Sequence, residues 1–450
     1  MKSTRVLFYT LVFLAVVSCN SFLEVEPKQS VSDEATITNG ASAETAIRGL
    51  YRALSADNYY GTTFQAIGYL SGDNIEWTGS RATAGQFVNH DVRADNESVG
   101  AVWSAIYNTI NRANHIIEKV AALPLEPTFS QEKKNQFLGE AYFIRALAYF
   151  DLARLWGGVP IYLSPTSTST DNRGLPRSSV EETYAQVLHD LNEAEALLPE
   201  TTNRIRATAK TVWALKARYY LYQKNWEQAE DYASRLIADD SNYRLVETYG
   251  EFFMNNAVAT SESVLELAYS ATNTNGHRGN WQPPQNGGTR QWAPNAEFVD
   301  LVTDPAIGGN RAVLVARTSD GRWYGNMYYR SPATDPAYVI RIAEMYLIRA
   351  EARAHQGGSK LEAASEDLQA VRSRAGLDVI NVDTPEALLL AIERERRVEF
   401  AFEPHRWFDL VRTDRAADIL GLNDHRRYVM PIPADQLLLD RALEQNDVYK

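Results

Sequence analysis

The segment Gly72-Asp73-Asn74-Ile75-Glu76-Trp77-Thr78-Gly79, with Arg81 just beyond it, brings a carboxylate, a carboxamide, an indole and a guanidinium close together in the chain. That set suits one kind of chemistry. An indole offers a flat apolar face to the C–H face of a sugar ring, while Asp, Asn and Arg side chains bridge vicinal hydroxyls. A second stretch, residues 273–330, is rich in Gly, Asn and Pro and holds Trp281, Trp292, Trp323, Tyr324, Tyr328 and Tyr329. No helical or alternating period assigns these rings to one buried face. Long loops without secondary structure of their own are uncommon unless functional. Asp73, Asn74, Trp77, Arg81, Trp281, Trp292, Trp323 and Tyr324 are therefore the candidate ligand-binding residues. The competing reading is that the aromatic rings anchor their loops to the body.

A charged run, Glu393, Arg394, Glu395, Arg396, Arg397 and Glu399, precedes His405 and Asp409. Spacings of three and four residues make ion pairs along a helix. Arg396, Arg397, Glu399, Arg406 and Asp409 are expected to lock the last helices onto the body rather than to move protons. The seven histidines form no HExxH or clustered ligand set, and the sequence has neither a Gly-rich phosphate loop after a strand nor a GxSxG elbow. A glycosidase needs two carboxylates at a fixed separation, and nothing among the 57 acidic residues nominates a pair. The chain reads as a binding protein, not an enzyme. No cofactor is expected, and calcium has no recognisable loop to hold it.

Cys19 is the only cysteine in 450 residues. Lys2 and Arg5 precede an almost wholly apolar run from Val6 to Val17, and Ser18 supplies a small residue before the cysteine. This is the pattern of a secretory signal, too short to span a bilayer. Residues 1–18 read as a lipoprotein signal peptide, Cys19 as the acylated residue, with palmitate among the chains it can carry, and 19–41 as a polar tether. A formal charge of −12 disfavours nucleic acid as a partner. Without a second cysteine no internal disulfide can form, so an exported fold must rest on its core, for which 45% hydrophobic and 11% aromatic content suffice.

The elements that must position these residues are mainly helical. Ser42 is a candidate cap for a helix with Ile47, Leu50, Tyr51 and Leu54 on its apolar side. A second helix carries Trp103, Ile106, Tyr107, Ile110 and Ile117, a third runs from about Gln131 to Trp156, and Ser179 with Glu182 forms a capping box for a fourth that ends before Pro199. In residues 209–238, Ala217, Tyr220, Ala229 and Ala233 fall at tetratricopeptide spacing, and residues 341–375 repeat the two-helix outline around Gly357 and Gly358. Single repeats cannot bury their faces, so several must stack; Trp213, Tyr220 and Trp226 are assigned to the core. The expected fold is mainly α, a tetratricopeptide-like helical body over about 42–270 and 338–450 with a loop-rich insert over about 271–337.

Several segments together are similar to the SusD/RagB family of Bacteroidetes outer-membrane nutrient-binding lipoproteins. They are GEAYFIRALAYFDLARLWGGVPIY (Gly139 to Tyr162), IRIAEMYLIRAEARA (Ile340 to Ala354), VRSRAGL (Val371 to Leu377), IERERRVEFAFEPHRWFDLVR (Ile392 to Arg412) and YVMPIPADQL (Tyr428 to Leu437). The helix with Tyr107, Asn108, Asn111 and Asn114 resembles the family too, while Pro404 and Asp447-Val448 depart from its usual residues in turns. The resemblance implies four tetratricopeptide-like units and a ligand surface built from inserted loops. It further implies a cell-surface, lipid-anchored position at the outer membrane, and capture of oligosaccharide or polysaccharide for delivery to a SusC-like TonB-dependent transporter, as in starch utilisation. The alternative expectation is a lipid-anchored repeat scaffold or peptide-binding lipoprotein of the envelope.

Overall fold

The computed structural model describes residues 37–168, 171–382 and 384–450. Cys19, the signal segment and most of the tether lie outside the described residues.

The chain runs α1 (Gly40–Leu54), α2 (Thr63–Leu70), β1 (Ile75–Trp77), α3 (Ala82–Val88), α4 (Glu97–Ala122), α5 (Gln131–Trp156), α6 (Val180–Leu197), α7 (Ala209–Tyr222) and α8 (Trp226–Ile237). It continues β2 (Ser263–Leu267), α9 (His277–Trp281), β3 (Trp292–Pro294), α10 (Ala296–Thr303), β4 (Val315–Arg317), β5 (Trp323–Gly325) and β6 (Ala337–Arg341). The last elements are α11 (Ile342–Gln356), α12 (Leu361–Arg374), α13 (Pro385–Glu399), α14 (Arg406–Arg412), α15 (Ala416–Leu420) and α16 (Ala434–Leu439). Consecutive helices pack in a file, α4 on α5, α5 on α6, α6 on α7 and α7 on α8. The file resumes with α11 against α8 and α12 and α13 against α11. The fold is therefore mainly α, a tetratricopeptide-like array from which residues 238–341 leave and return. The strands form only two-stranded antiparallel pairs among the described residues, β1 with β3, β2 with β6 and β4 with β5. No described helix is long and apolar enough to cross a membrane.

Local chemistry explains where the helices start. The Ser179–Glu182 box forms with both arms in place, Ser179 N–H donating to Glu182 at 2.7 Å and Glu182 N–H to Ser179 Oγ at 3.1 Å. The start of α1 differs from expectation. Asn39 is the cap, its side chain accepting from Ser42 N–H at 2.9 Å while Ser42 Oγ accepts from Asn39 N–H at 3.0 Å. Ser42 is thus the inner member of a reciprocal box, and the helix begins nearly a turn earlier. Between α11 and α12 the chain turns through Gly357 and Gly358 at φ 65° and 57°, a left-handed conformation that costs glycine little.

Small residues let the repeat helices approach: Ala217, Ala229 and Ala233 are fully buried. The large rings of this unit sit at its edge rather than its centre. Trp213, Tyr220 and Trp226 are half-buried; Trp213 Nε1 donates to Glu195 at 2.8 Å, Tyr220 stacks on Tyr232 at 5.7 Å, and Trp226 stacks on His355 at 4.0 Å. Their assignment to the core is corrected to this extent: the narrow alanine seam leaves room for the rings only at the rim.

The central helix α5 is buried around most of its circumference, so its charged residues must find partners. Arg145 grips Asp190 with two hydrogen bonds of 2.8 and 2.7 Å and reaches Asn114 at 2.8 Å. Asp151 accepts from Tyr59 at 2.7 Å and Tyr60 at 3.0 Å and pairs with Arg154. A larger buried cluster joins the two halves of the chain. Arg341 donates to Glu262 at 2.7 Å, Glu399 at 2.8 Å and Glu403 at 3.1 Å, and Arg374 donates to Glu262 at 2.8 Å and pairs with Glu399.

Candidate functional site

Between α2 and β1 the chain turns at Asp73 and Asn74, and the arginines of the charged run fix that turn. Arg406 holds Asp73 with two hydrogen bonds of 2.6 and 2.9 Å, and Arg397 approaches the same carboxylate at 3.2 Å. Burial alone would raise the Asp73 carboxyl, but the hydrogen bonds and charge of Arg406, with the charge of Arg397, hold it below the usual carboxylate range. Asn74 is fully buried; its amide donates to the Arg397 carbonyl at 3.1 Å and its oxygen accepts from Arg397 Nε at 2.8 Å. Asp73 and Asn74 are therefore corrected from ligand contacts to struts. Their hydrogen-bonding capacity is taken up inside the protein, which also shows what Arg397 and Arg406 lock: the turn before β1.

Trp281 and Trp292 are likewise corrected. They are 0% and 3% exposed and meet edge to face at 6.1 Å, with Tyr69 5.2 Å and Phe402 4.4 Å from Trp281. They form the core beneath the loops and present no face to a ligand. The sequence lacked the signal to sort them, because Trp281 ends a five-residue helix and Trp292 begins a three-residue strand, both too short to show a period.

The remaining candidates stay at the surface. Trp77 is 38% exposed, and Arg81 is exposed. Trp77 opposes Trp292 across the β1–β3 ribbon, which puts both indoles on one face; Trp292, packed against Trp281 and Tyr69, is buried, while Trp77 at the end of β1 stays open. Its ring lies on α3 at Gly85, where a Cβ would come within 2.8 Å of the indole. Trp323 and Tyr324 are half-buried on β5. Arg290, which sequence reasoning missed, ties the ribbons together: its carbonyl accepts from Thr78 Oγ1 at 2.8 Å, its Nε donates to the Trp323 carbonyl at 2.8 Å, and its Nη2 lies 3.6 Å from Glu76. Arg317 sits over the Trp323 ring at 5.6 Å, and Asn286 reaches Tyr324 Oη at 3.4 Å. Trp77, Trp323 and Tyr324, with these arginines at their edge, make a shallow aromatic surface carried on short ribbons over a rigid core.

The charged run has no arrangement for proton transfer. Asp409 is held by Arg396 at 2.8 Å and Arg412 at 2.9 Å. The His405 ring packs on Phe400 at 4.5 Å, and burial, reinforced by Arg218, Arg396, Arg154 and Arg341, pushes its pKa well down. A separate cavity of about 450 Å³ lies among Leu221, Trp226, His355, Leu389 and Leu390. Most of its rim charges are paired, Arg412 with Glu351 and Arg415 with Glu393. Among the described residues no three His, Cys, Asp or Glu side chains converge as a metal site would require.

Fold and surface define a class: a helical-repeat protein whose inserted ribbons display aromatic rings. Residues 21–221 match the family model described as starch-binding and associating with the outer membrane, and residues 224–426 match that of the SusD family. The chain belongs to the SusD/RagB family. A SusD-like protein of Formosa agariphila is 28% identical over 519 aligned residues, spanning 100% of this chain and 99% of that one. In fold, a SusD superfamily protein from Bacteroides vulgatus superposes with a TM-score of 0.81 at 21% identity, covering 91% of this chain and 99% of that chain. A laminarin-binding SusD-like protein superposes with a TM-score of 0.77 at 24% identity, covering 92% of this chain and 100% of that chain.

Proposed function

We propose that this protein is a non-catalytic glycan-binding lipoprotein of the outer-membrane surface, anchored through acylated Cys19, that captures oligosaccharide and delivers it to a SusC-like TonB-dependent transporter. The observation that carries the reading is the aromatic surface of exposed Trp77 and half-buried Trp323 and Tyr324 on ribbons braced by Arg290. The description of the family model and the laminarin-binding neighbour agree with it. Trp77→Ala and Trp323→Ala should each weaken glycan retention on an affinity gel by about fivefold or more, a truncation cost of ~1 kcal/mol. Far-ultraviolet circular dichroism should stay unchanged. Release of reducing sugar by the purified protein would overturn the non-catalytic part.

The second reading is a repeat scaffold with peptide as its ligand. It draws on the groove among Leu221, Trp226, Leu389 and Leu390, of which Leu390 is 42% exposed. Retention of peptides that is lost in Leu390→Glu, together with indifference to a broad glycan panel, would favour it over the first.

A further inference from the structure

The aromatic surface is unusually basic for this protein. Arg290 and Arg317 touch Trp323, Arg322 precedes it in the chain, Arg278 holds the turn that reaches Tyr324, and Arg81 follows Trp77 by four residues, while the carboxylates beside them are Glu76 and Asp320, in a chain whose net charge is −12. The guanidiniums are held by neutral groups more than by acids. Arg278 donates to the carbonyls of Tyr329 at 3.3 Å and Gly287 at 3.5 Å, and Arg317 to that of Gly321 at 2.8 Å. Among the described residues no carboxylate pairs with Arg81, Arg278 or Arg317. Elsewhere in the fold arginines are matched closely to acids, as Arg406 is to Asp73 and Arg412 to Glu351. Arg290 adopts a left-handed backbone, φ 43°, uncommon for a residue with a side chain, and hydrogen bonds to Thr78 and Gln282 keep it there.

We infer that the ligand of this surface is an anionic glycan, its sugar rings stacked on Trp77 and Trp323 and its carboxylate or sulfate groups met by the arginines. The inference rests on the proposed glycan-binding role and names the substrate class for it. A neutral glycan needs donors and acceptors in mixture, and a guanidinium offers donors only. Planar forks suit carboxylate and sulfate oxygens, and leaving them without acids keeps that capacity open to a ligand. An acidic protein repels a polyanion at long range, so its capture requires a local excess of positive charge where the rings lie.

The test uses the purified chain on four immobilised polymers: polygalacturonate, carrageenan, laminarin and starch, with polyglutamate as a polyanion without sugar rings. One of the charged glycans should be retained at least about tenfold more tightly than laminarin or starch. Raising sodium chloride from about 50 to 500 mM, which shortens the screening length several-fold, should remove most of that difference. The double variant Arg81→Gln, Arg317→Gln should lose about tenfold on the charged glycan, while Trp77→Ala should weaken every glycan that binds. Preference for polygalacturonate would assign carboxylate, and preference for carrageenan would assign sulfate. Equal or tighter binding of laminarin or starch, unchanged in the double arginine variant, would overturn the anionic class and leave glycan binding standing. Polyglutamate held as tightly, with Trp77→Ala without effect, would reduce the surface to an ion exchanger and overturn the inference. Retention on none of the glycans would overturn the proposed function itself.

Discussion

His277 is fully buried, stacked on Tyr328 at 4.2 Å, with Nε2 placed to donate to the Tyr60 carbonyl at 3.2 Å. Burial, only partly offset by that hydrogen bond, pushes its pKa down to about 4. In the unfolded chain the ring titrates near 6.5, so below that pH the unfolded state takes up a proton that the folded state refuses. The stability is present above pH ~6.5 and is lost as pH falls toward ~4, by ~3 kcal/mol. His277→Phe keeps the stacking and removes the titration. Denaturant unfolding of the variant at pH 7 and pH 4.5 should show a smaller difference than the parent's, and an equal difference would refute the assignment. Gly85 makes a second residue-scale test. A methyl group there meets the Trp77 ring, so Gly85→Ala should lower glycan affinity about as much as Trp77→Ala while leaving thermal unfolding within a few degrees. An unaffected affinity would place Trp77 outside the binding surface. Sequence alone could place Trp77 and Trp292 only in the same class. Their opposite fates come from what packs on each ring, Trp281 and Tyr69 on Trp292 and open surface beside Trp77, and no period can be read from two three-residue strands.

The helices are the elements the sequence states most clearly, because a capping box and a run of apolar residues at three- and four-residue spacing are local signals. α5, α6 and the α7–α8 hairpin all lie where those signals predict them. What joins the elements is not local. Glu262 on the approach to β2 shares Arg341, at the end of β6, with Glu399 on α13, and Arg374 of α12 closes the same cluster. In the chain these are scattered charges without a pattern; their meaning comes from burial, since Arg341, Glu262 and Glu399 are each 0–1% exposed. Such a cluster adds little net stability over a well-packed apolar core, but removing one member strands the others. Arg341→Met leaves Glu262, Glu399 and Glu403 facing one another, with Arg374 beside the first two, Arg311 beside Glu399 at 3.2 Å and Glu403 without its guanidinium. The expected loss is ~3–5 kcal/mol, read as a lower midpoint in urea with an unchanged slope. A loss under ~1 kcal/mol would mean that the carboxylates take up protons and tolerate the change. The same reasoning explains why Asp73 and Asn74 read as ligand contacts in the sequence: their partners, Arg406 and Arg397, lie more than three hundred residues away.

At the scale of the whole molecule, the aromatic surface and the proposed anchor occupy separable parts of the chain. The surface and the struts that brace it come from residues 72–325 and 393–406, and no described contact among them calls on the residues before α1. No described helix is long and apolar enough to cross a bilayer. If membrane attachment depends on acylation of Cys19, the anchor and the ligand surface should be independently removable. Several acyl chains, at ~0.8 kcal/mol per buried methylene, give durable attachment, whereas one chain alone gives a marginal hold. Cys19→Ala, expressed in a host that processes lipoproteins, should move from the membrane pellet to the soluble fraction, and its affinity for whichever glycan the parent binds should stay within about twofold. The reciprocal variant, Trp77→Ala with Cys19 intact, should stay in the pellet and lose the glycan. A Cys19→Ala protein that still sediments must be retested in a strain lacking the proposed partner transporter, because a protein–protein contact would also retain it. Sedimentation that persists there would refute the lipid anchor, and loss of glycan affinity in the soluble variant would show that the residues ahead of α1 contribute to the ligand surface.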